Sequence, residues 1–331
     1  MILIIKYGAL GDVIRTSYIL PGLHRKYGNP KIVWMTKPES FALLRFNHYI
    51  SEIITPYCKT DLLRLPFDLV ISLDDEIEIL KHIENLDYKE LRGSYLYDGM
   101  PGYTSNSAEW FDMGLISRFG KVSADELKKL NTREHNEILA SMLDIAIKEP
   151  IFFNSSVMEE RVGRHFKRNY FVIGLNSGAG SRWPSKQMPV KETIALIRQL
   201  LEAEIENKKT TIYLLGADEE KERHKTIKNA IASERLVDTG TDNSLLEFAA
   251  IIKCCDYIIT SDSLALHLAI SQKVRNLSFY APTSAAEIGT FGTGVKVKSL
   301  SPDYCSYRKY ADNSTITAER VLQTMKIHLG F

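Results

Sequence analysis

Short runs of consecutive apolar residues alternate with helix-like segments along this chain, and that alternation constrains the fold more than any other feature. The runs cover residues 2–6, 31–35 and 67–73 in the first half, and 170–175, 211–215, 256–260 and 275–280 in the second. Apolar runs of this length separated by helices are typical of βαβ units, whose parallel strands are buried on both faces. We therefore predict an α/β fold with parallel sheets.

The alternation lapses between residues 148 and 169, a stretch rich in charged side chains. A chain of 331 residues is also longer than one hydrophobic core usually serves. We therefore predict an N-terminal domain over 1–158 and a C-terminal domain over 159–331. The last helix is expected over 317–329, and it could pack either on its own domain or back on the first domain. Residues 93–110 are rich in Gly, Tyr, Ser and Asn, and we expect a long loop there.

Charge and cysteine content exclude several classes of protein. Lys and Arg number 42 against 41 Asp and Glu, so a net charge of +1 gives no general electrostatic reason to bind nucleic acid. The four cysteines are too scattered for a disulfide framework, and none has the CxxC spacing of a structural zinc site. No apolar run reaches the roughly 18 residues of a membrane-spanning helix. We expect a cytoplasmic protein whose membrane contact, if any, is peripheral.

The first motif is Gly8-x-x-Gly11-Asp12, directly after the first apolar run. Its glycines allow a tight turn, and Asp12 begins the following helix. One interpretation makes Asp12 a helix N-cap, and the other places a carboxylate at the carboxyl end of a parallel strand, where ligands bind. The two interpretations are compatible. The motif is not the GxGxxG fingerprint, which argues against an NAD-dependent oxidoreductase.

The second motif is the loop Asn176-Ser-Gly-Ala-Gly-Ser-Arg-Trp-Pro-Ser-Lys186. It offers backbone N–H groups, small hydroxyls and two cations after a strand, which are the groups needed to hold phosphates. It lacks the GK[ST] ending of a P-loop, so ATP hydrolysis is not indicated. The alternative is a solvated loop anchored by Trp183.

The third motif is Thr260-Ser-Asp-Ser-Leu-Ala-Leu-His267. Asp262 and Ser263 lie where a strand ends and a helix begins, and His267 follows one turn later on the same face. These side chains could contact a diphosphate or a sugar, or could simply cap the helix. Two weaker features are acidic: the turn at 218–220 could bind ribose or favour the helix dipole, and residues 74–76 most simply begin a helix, although they could bind a metal.

Taken in order, these motifs and Tyr280-Ala-Pro-Thr-Ser284 resemble the glycosyltransferase family 9 heptosyltransferases over nearly the whole chain. The resemblance implies a GT-B fold, with two Rossmann-like domains of parallel sheets facing an interdomain cleft. It implies inverting, metal-independent transfer of a heptose from ADP-L-glycero-D-manno-heptose to a saccharide acceptor such as the lipopolysaccharide core. The donor is a substrate, and no cofactor is expected. The expected partners are this nucleotide sugar and a glycan or lipid-linked acceptor at the inner membrane surface.

The resemblance also assigns roles to residues. Asp12 corresponds to the proposed base of the family, and the donor-binding positions are Ser177, Gly178, Arg182, Lys186, Glu220, Asp262, Ser263 and His267. Three departures from the family pattern stand out: Ser181 replaces a basic residue, Leu264 replaces a glycine, and residues 72–76 replace an Asp-Leu-Gln or Asp-Leu-Arg pattern. The first two leave open another nucleotide sugar, and the third leaves the acceptor open. A non-catalytic sugar-nucleotide-binding protein is a separate alternative, since an N-cap role would also explain Asp12.

Aromatic residues supply the candidates for acceptor contact. Tyr95, Tyr103 and Trp110 lie in the expected loop, and aromatic faces stack well on sugars. A loop that merely packs on its domain would explain the same residues.

Overall fold

The computed structural model describes residues 1–56, 61–114, 116–166, 169–176, 178 and 183–331. The chain divides into two compact units. Unit 1 comprises Met1–Phe153 and Ala286–Gly289, and unit 2 comprises Asn154–Ala285 and Thr290–Phe331. The division between the units follows Phe153, whereas residue 158, where we expected the boundary, lies inside the helix Ser156–Gly163. The return of residues 286–289 to unit 1 has no signal in the sequence.

Unit 1 is an α/β unit built on one sheet. Its strands are β1 (Ile2–Ile5), β2 (Ile32–Met35), β3 (Glu52–Ile54), β4 (Leu69–Ser72), β5 (Leu91–Tyr97) and β6 (Met100–Tyr103). Its helices are α1 (Leu10–Thr16), α2 (Leu20–Tyr27), α3 (Phe41–Leu44), α4 (Ile77–Leu80), α5 (Ala108–Asp112), α6 (Gly120–Leu130) and α7 (His135–Leu143).

The sheet of unit 1 has the strand order β3-β2-β1-β4-β5-β6, and all neighbours are parallel except the β5–β6 pair. Its central strands are buried on both faces. Ile2 and Ile4 belong to one hydrophobic cluster, whereas Leu3 and Ile5 belong to the cluster on the other face. Burial on both faces explains why β1 appears in the sequence as a continuous apolar run.

Residues 91–103 form a β-hairpin, so the long loop expected over 93–110 is wrong. Tyr97 pairs with Met100, and the two residues between them, Asp98 and Gly99, both have positive φ, at 49° and 74°. Positive φ at both central positions is the geometry of a type I′ turn, which Asp-Gly favours because it matches the twist of the strands. The Asp-Gly pair was therefore a hairpin signal hidden by loop-like composition.

Unit 2 is a second α/β unit. Its strands are β7 (Phe171–Asn176), β8 (Glu204–Ile205), β9 (Lys208–Leu215), β10 (Leu236–Asp238), β11 (Tyr257–Ser261), β12 (Arg275–Tyr280) and β13 (Gly294–Lys298). Its helices are α8 (Ser156–Gly163), α9 (Val190–Glu202), α10 (Lys221–Ala230), α11 (Leu245–Lys253), α12 (Leu264–Ser271) and α13 (Ala318–Leu329).

The sheet of unit 2 has the order β10-β9-β7-β11-β12-β13 with parallel neighbours, and β8 is added antiparallel to β9. Counted within the unit and without β8, this is the order 3-2-1-4-5-6 of a Rossmann sheet, and unit 1 repeats it. The C-terminal helix α13 packs on α9 and β13 of its own unit. In both units the second and third strands lie on one side of the first strand, and the later strands lie on its other side. The point where the strand order reverses is the switch point of the sheet.

The segment 286–289 is held in unit 1 by the start of α7. The carbonyl of Glu287 accepts a hydrogen bond from the backbone N–H of His135 at 2.8 Å, and the buried Glu287 carboxylate lies 4.0 Å from Lys128. A Cβ on Gly289 would lie 2.3 Å from Oε2 of Glu134 and 2.5 Å from Oδ1 of Asn136, so the segment approaches the start of α7 closely. A short piece of the second half of the chain thus completes the first unit.

Within the described residues, no helix has both the length and the apolar character needed to cross a membrane.

Candidate functional site

In unit 1, polar side chains converge where β1 and β4 end. These strands are neighbours in the sheet, and β2 and β5 lie on their outer sides, so their carboxyl ends form the switch point of the sheet. Ligands of open α/β sheets bind outside the carboxyl ends of strands at such points. The residues that meet here are Lys6 and Asp12 after β1 and Asp74 after β4.

Asp74 and Lys6 form a buried ion pair. The Lys6 Nζ donates to Asp74 Oδ1 at 2.6 Å and to the carbonyl of Leu73 at 3.0 Å. The backbone N–H groups of Tyr7 and Gly8 donate to the same carboxylate. Burial lowers the pKa of Lys6, but the carboxylates of Asp74 and Asp12 raise it by more, so the pKa lies above its ordinary value. Lys6 is therefore charged, and sequence reasoning missed it because it resembled the polar end of an apolar strand.

Asp12 lies in the first turn of α1, not at its cap. The N-cap residue is Ala9, and the backbone N–H of Asp12 donates to the Ala9 carbonyl at 2.8 Å. The N-cap interpretation of Asp12 is therefore wrong. Its Oδ1 lies 2.8 Å from Nη2 of Arg15, and its side chain remains 34% exposed. The turn thus presents an accessible, ion-paired carboxylate at the switch point.

The three aromatic residues predicted for acceptor contact occupy different places in unit 1. Trp110 contacts the ion-pair partner of Asp12, since its ring centroid is 5.5 Å from the guanidinium carbon of Arg15. Tyr103 stacks on Phe111 and donates hydrogen bonds to Asp75 Oδ2 at 3.3 Å and to a backbone carbonyl. Tyr95 lies on the hairpin with its ring over Gly102 of the paired strand.

Asp75 follows Asp74 and extends the acidic part of this edge. Burial is the main cause that raises the pKa of its carboxyl, and the neighbouring Glu76 raises it further. Burial also raises the pKa of Tyr103, whose hydroxyl donates to Asp75. Residues 74–76 therefore do more than begin a helix: Asp74 binds Lys6, and Asp75 holds the base of the hairpin.

In unit 2, the equivalent switch point lies between β7 and β11. Asn176 ends β7, is only 6% exposed, and its Nδ2 lies within hydrogen-bonding distance of three acceptors. These are the carbonyl of Gly178 at 3.0 Å, Thr260 Oγ1 at 3.0 Å and Ser263 Oγ at 3.2 Å. Asn176 thereby ties the loop after β7 to the start of α12. In the sequence, Asn176 is simply the first residue of the Gly-rich loop, and nothing in that loop predicts this linking role.

Asp262 gathers two of the predicted donor-binding side chains. Its Oδ2 accepts from Lys186 Nζ at 3.0 Å, and its Oδ1 lies 3.6 Å from Nε2 of the buried His267. Lys186 also donates to the Asp262 carbonyl at 2.8 Å. Ser263 occupies the N-cap position of α12, but its hydroxyl bonds to Thr260 and Asn176 and makes no cap. The third motif therefore forms one connected polar group.

Glu220 lies at the same sheet edge, in the turn that follows β9. Its side chain is buried, and Oε2 accepts from the backbone N–H of Ala217 at 2.9 Å. A Cβ on Gly178 would lie 3.0 Å from the Glu220 carboxylate, so glycine lets the loop approach this acid closely. Below it, His224 is fixed by Asp238 Oδ1 at 2.9 Å. Glu220 thus lies beside the loop expected to hold the donor.

The structure brings together Gly178, Lys186, Glu220, Asp262, Ser263 and His267 at one sheet edge. Ser177 and Arg182, which were also predicted to bind the donor, lie outside the described residues. Among the residues that the structure does describe, no group of three or more His, Cys, Asp or Glu side chains is placed to hold a metal ion.

Comparisons with known proteins agree with this architecture. The sequence profile of glycosyltransferase family 9 (heptosyltransferase) matches residues 139–315, which is more than half of the chain. No curated protein sequence matches the chain significantly.

Three solved structures superpose on nearly the entire chain. The glycosyl transferase family 9 protein from Veillonella parvula DSM 2008 has a TM-score of 0.75 at 17% identity, and the match covers 99% of this chain and 96% of that one. E. coli ADP-heptose LPS heptosyltransferase II gives 0.69 at 16%, covering 99% and 98%. E. coli heptosyltransferase WaaC with ADP gives 0.66 at 14%, covering 99% of both chains. Identities this low establish the shared fold, and the profile match establishes the family. The chain belongs to glycosyltransferase family 9, the heptosyltransferase family.

Proposed function

We propose that the protein is an inverting, metal-independent glycosyltransferase. It transfers a heptose from ADP-L-glycero-D-manno-heptose to a hydroxyl of a saccharide acceptor such as the lipopolysaccharide core. The observation that carries the proposal is the pair of polar switch points: an accessible carboxylate, Asp12, in unit 1, and the hydroxyl, imidazole and ammonium groups around Asp262 in unit 2.

Asp12 is the general base in this proposal. Inverting transfer requires one group that takes the acceptor proton while the acceptor oxygen attacks the anomeric carbon and the bond to the diphosphate breaks. The Asp12 side chain is 34% exposed, so an acceptor hydroxyl can reach it. Its ion pair with Arg15 favours the deprotonated form, which is the form that accepts a proton.

The donor is assigned to the polar edge of unit 2. Ser263 at the start of α12, together with His267 and Lys186, supplies hydroxyl, imidazole and ammonium groups for a diphosphate. Lys186 is bound to Asp262, so in the donor complex a phosphate would bind Lys186 either together with the Asp262 carboxylate or in its place. We assign Ser177 and Arg182 to the same diphosphate and Glu220 to the nucleoside. E. coli heptosyltransferase WaaC, solved with ADP and with ADP-2-deoxy-2-fluoro heptose, supports the choice of donor.

The acceptor is assigned to unit 1. Trp110 contacts Arg15, the ion-pair partner of Asp12, and is therefore the aromatic residue best placed to stack on an acceptor sugar. We place the protein in the cytoplasm, in peripheral contact with the inner membrane, because a lipid-linked acceptor would be reached there.

A thermal-shift screen with ADP, UDP, GDP and NAD tests the donor class. A ligand that binds only the folded form raises the melting temperature, so ADP should give the largest increase and NAD none. Transfer is then assayed with ADP-heptose, and NMR of the product should show an inverted anomeric configuration. Activity should survive EDTA. A larger shift with UDP or GDP would support another nucleotide sugar, an alternative that Ser181 and Leu264 keep open.

A further inference from the structure

Lys6 holds a fixed positive charge beside the proposed base. The residue is 9% exposed and its Nζ is bound by Asp74 Oδ1 at 2.6 Å and the Leu73 carbonyl at 3.0 Å. Asp74 is in turn held by the backbone N–H groups of Tyr7 and Gly8. Because every partner belongs to the ends of two paired strands, the ammonium group has little freedom to move.

Gly8 brings this ammonium group close to Asp12. A Cβ on Gly8 would lie 2.9 Å from Lys6 Nζ and 3.2 Å from Asp12 Oδ2, so the two charged atoms flank the same small space. The charged groups that act on Lys6 are Asp74, just after β4, and Asp12 and Arg15 from α1. Along this edge, charges of opposite sign alternate from Asp74 to Lys6, Asp12 and Arg15.

We propose that Lys6 is a positioning residue that fixes the ionisation state and orientation of Asp12. The inference rests on the proposed function, in which Asp12 takes the acceptor proton. Lys6 itself does not touch substrate. A nearby cation stabilises a carboxylate over its neutral form, so Asp12 stays ionised at lower pH than it would alone. Asp74 offsets the cost of burying the lysine.

A purely structural role is the competing explanation, since the Lys6–Asp74 pair also joins the ends of β1 and β4. The chain offers a matched control. Lys26 donates to the Leu143 carbonyl at 3.0 Å, to the Asp144 carboxylate at 3.0 Å and to the Asp144 carbonyl at 3.1 Å, a similar set of acceptors from consecutive residues. Its carboxylate partner, Asp144, is 87% exposed and follows α7.

The experiment measures the pKa of Asp12 by carbon NMR titration in Lys6→Met, Lys6→Arg and Lys26→Met, with Asp12→Asn used for assignment. The Lys6 ammonium group and the Asp12 carboxylate are separated by the space that a Gly8 Cβ would occupy. Removal of a cation this close should raise the Asp12 pKa by about one unit or more. Lys6→Arg and Lys26→Met should leave it unchanged. In Lys6→Met the acidic limb of kcat/KM should move to higher pH by the same amount.

If Lys6→Met does not fold, Lys6→Met/Asp74→Asn removes both charges together and keeps an acceptor for the Tyr7 N–H. It should raise the Asp12 pKa by a smaller amount, because loss of the more distant Asp74 charge offsets part of the loss of Lys6. An unchanged Asp12 pKa in a folded variant overturns the proposal for Lys6. A raised pKa without a matching shift in the rate profile supports the electrostatic role of Lys6 and overturns Asp12 as the base.

Discussion

At the scale of single residues, the position of Asp12 separates a chemical role from a structural one. The N-cap of α1 is Ala9, so Asp12→Asn removes a charge from the first turn without removing a cap. If Asp12 is the base, turnover should fall by about 10²–10⁴-fold. The lost ion pair with Arg15 is partly exposed and contributes at most about 1 kcal/mol to stability. Turnover, ADP affinity and melting temperature should be measured together, and only turnover should change strongly.

Asp125→Asn is the matched control for this prediction. Asp125 is also in unit 1 and ion-paired within a helix, to Lys121 at 2.5 Å, but it belongs to α6 and not to the segments that follow β1 and β4. It should lose neither turnover nor ADP affinity. Near-normal turnover of Asp12→Asn with its true acceptor would show that another group takes the proton.

Asn176 gives a second prediction at this scale. Asn176→Ala removes the amide that links the Gly178 carbonyl, Thr260 and Ser263, all at a buried edge. Unsatisfied buried acceptors should lower stability by about 1–3 kcal/mol. Because the loop after β7 would lose its tie to α12, ADP affinity should also drop several-fold, as measured by calorimetry.

The control for Asn176 is Asn276→Ala. Asn276 is fully buried and donates to the Val274 carbonyl and Thr293, but it lies near the amino end of β12, at the opposite edge of the sheet. It should lose stability and keep its ADP affinity. If both variants lose affinity in proportion to their stability, Asn176 has no specific role in nucleotide binding.

The sequence predicted which residues of unit 2 come together but not what orders them. Asp262, Ser263 and His267 are close in sequence, so their spacing alone indicated a common site. The bond from Asn176 to Ser263 joins residues 87 apart, and the Lys6–Asp74 pair joins residues 68 apart. Such contacts depend on which strands are neighbours, and that order cannot be predicted from local spacing.

At the scale of secondary-structure elements, the hairpin β5–β6 depends on two glycines in different ways. Gly93 has φ at 120°, and a Cβ there would lie 1.8 Å from the Ser72 carbonyl oxygen on the adjacent strand. Gly99 has φ at 74° in open space. Gly99→Ala should cost about 1–2 kcal/mol through backbone strain alone. Gly93→Ala should cost more than about 3 kcal/mol, because strain and collision add.

Denaturant unfolding of both variants tests this order of effects. The comparison contains its own control, since the two substitutions are chemically identical and lie in one hairpin. Equal costs for the two variants would mean that β5 moves away from β4 to admit the new methyl group.

Three of the strands missed by sequence analysis, β3, β10 and β13, share a physical cause. The interior strands β1, β4, β7, β11 and β12 are buried on both faces and appear as apolar runs. The strands β3, β10 and β13, by contrast, lie at sheet edges and contain exposed polar residues. An edge strand has one strand neighbour and part of its surface in solvent, so its sequence carries little of the apolar signal.

At the scale of the whole molecule, Glu287 should stabilise unit 1, although the residues before 286 and after 289 belong to unit 2. Its carboxylate lies beside the buried Lys128, and its carbonyl accepts from His135 at the start of α7. Glu287→Ala removes a carboxylate from a buried lysine and should lower the stability of unit 1 by about 1–3 kcal/mol. Hydrogen exchange should show lost protection in α6 and α7 while the sheet of unit 2 remains protected.

Glu192→Ala provides the reciprocal control. Glu192 lies on α9, and its Oε2 accepts from the backbone N–H of Ala318 at the start of α13, so its loss should affect exchange in unit 2 alone. If Glu287→Ala changed exchange only in unit 2, the segment 286–289 would not be part of the cooperative structure of unit 1.

The return of residues 286–289 to unit 1 also sets the order in which the protein can be completed during synthesis. Domains generally fold as units while the chain leaves the ribosome. Unit 1 lacks its last segment until residue 289 has emerged, by which point β7 through β12 of unit 2 have already been made. Unit 2 in turn awaits β13 and α13. All six strands of unit 1 have been made by residue 103, yet the unit stays incomplete while most of unit 2 is synthesised, because the segment that completes it follows β12.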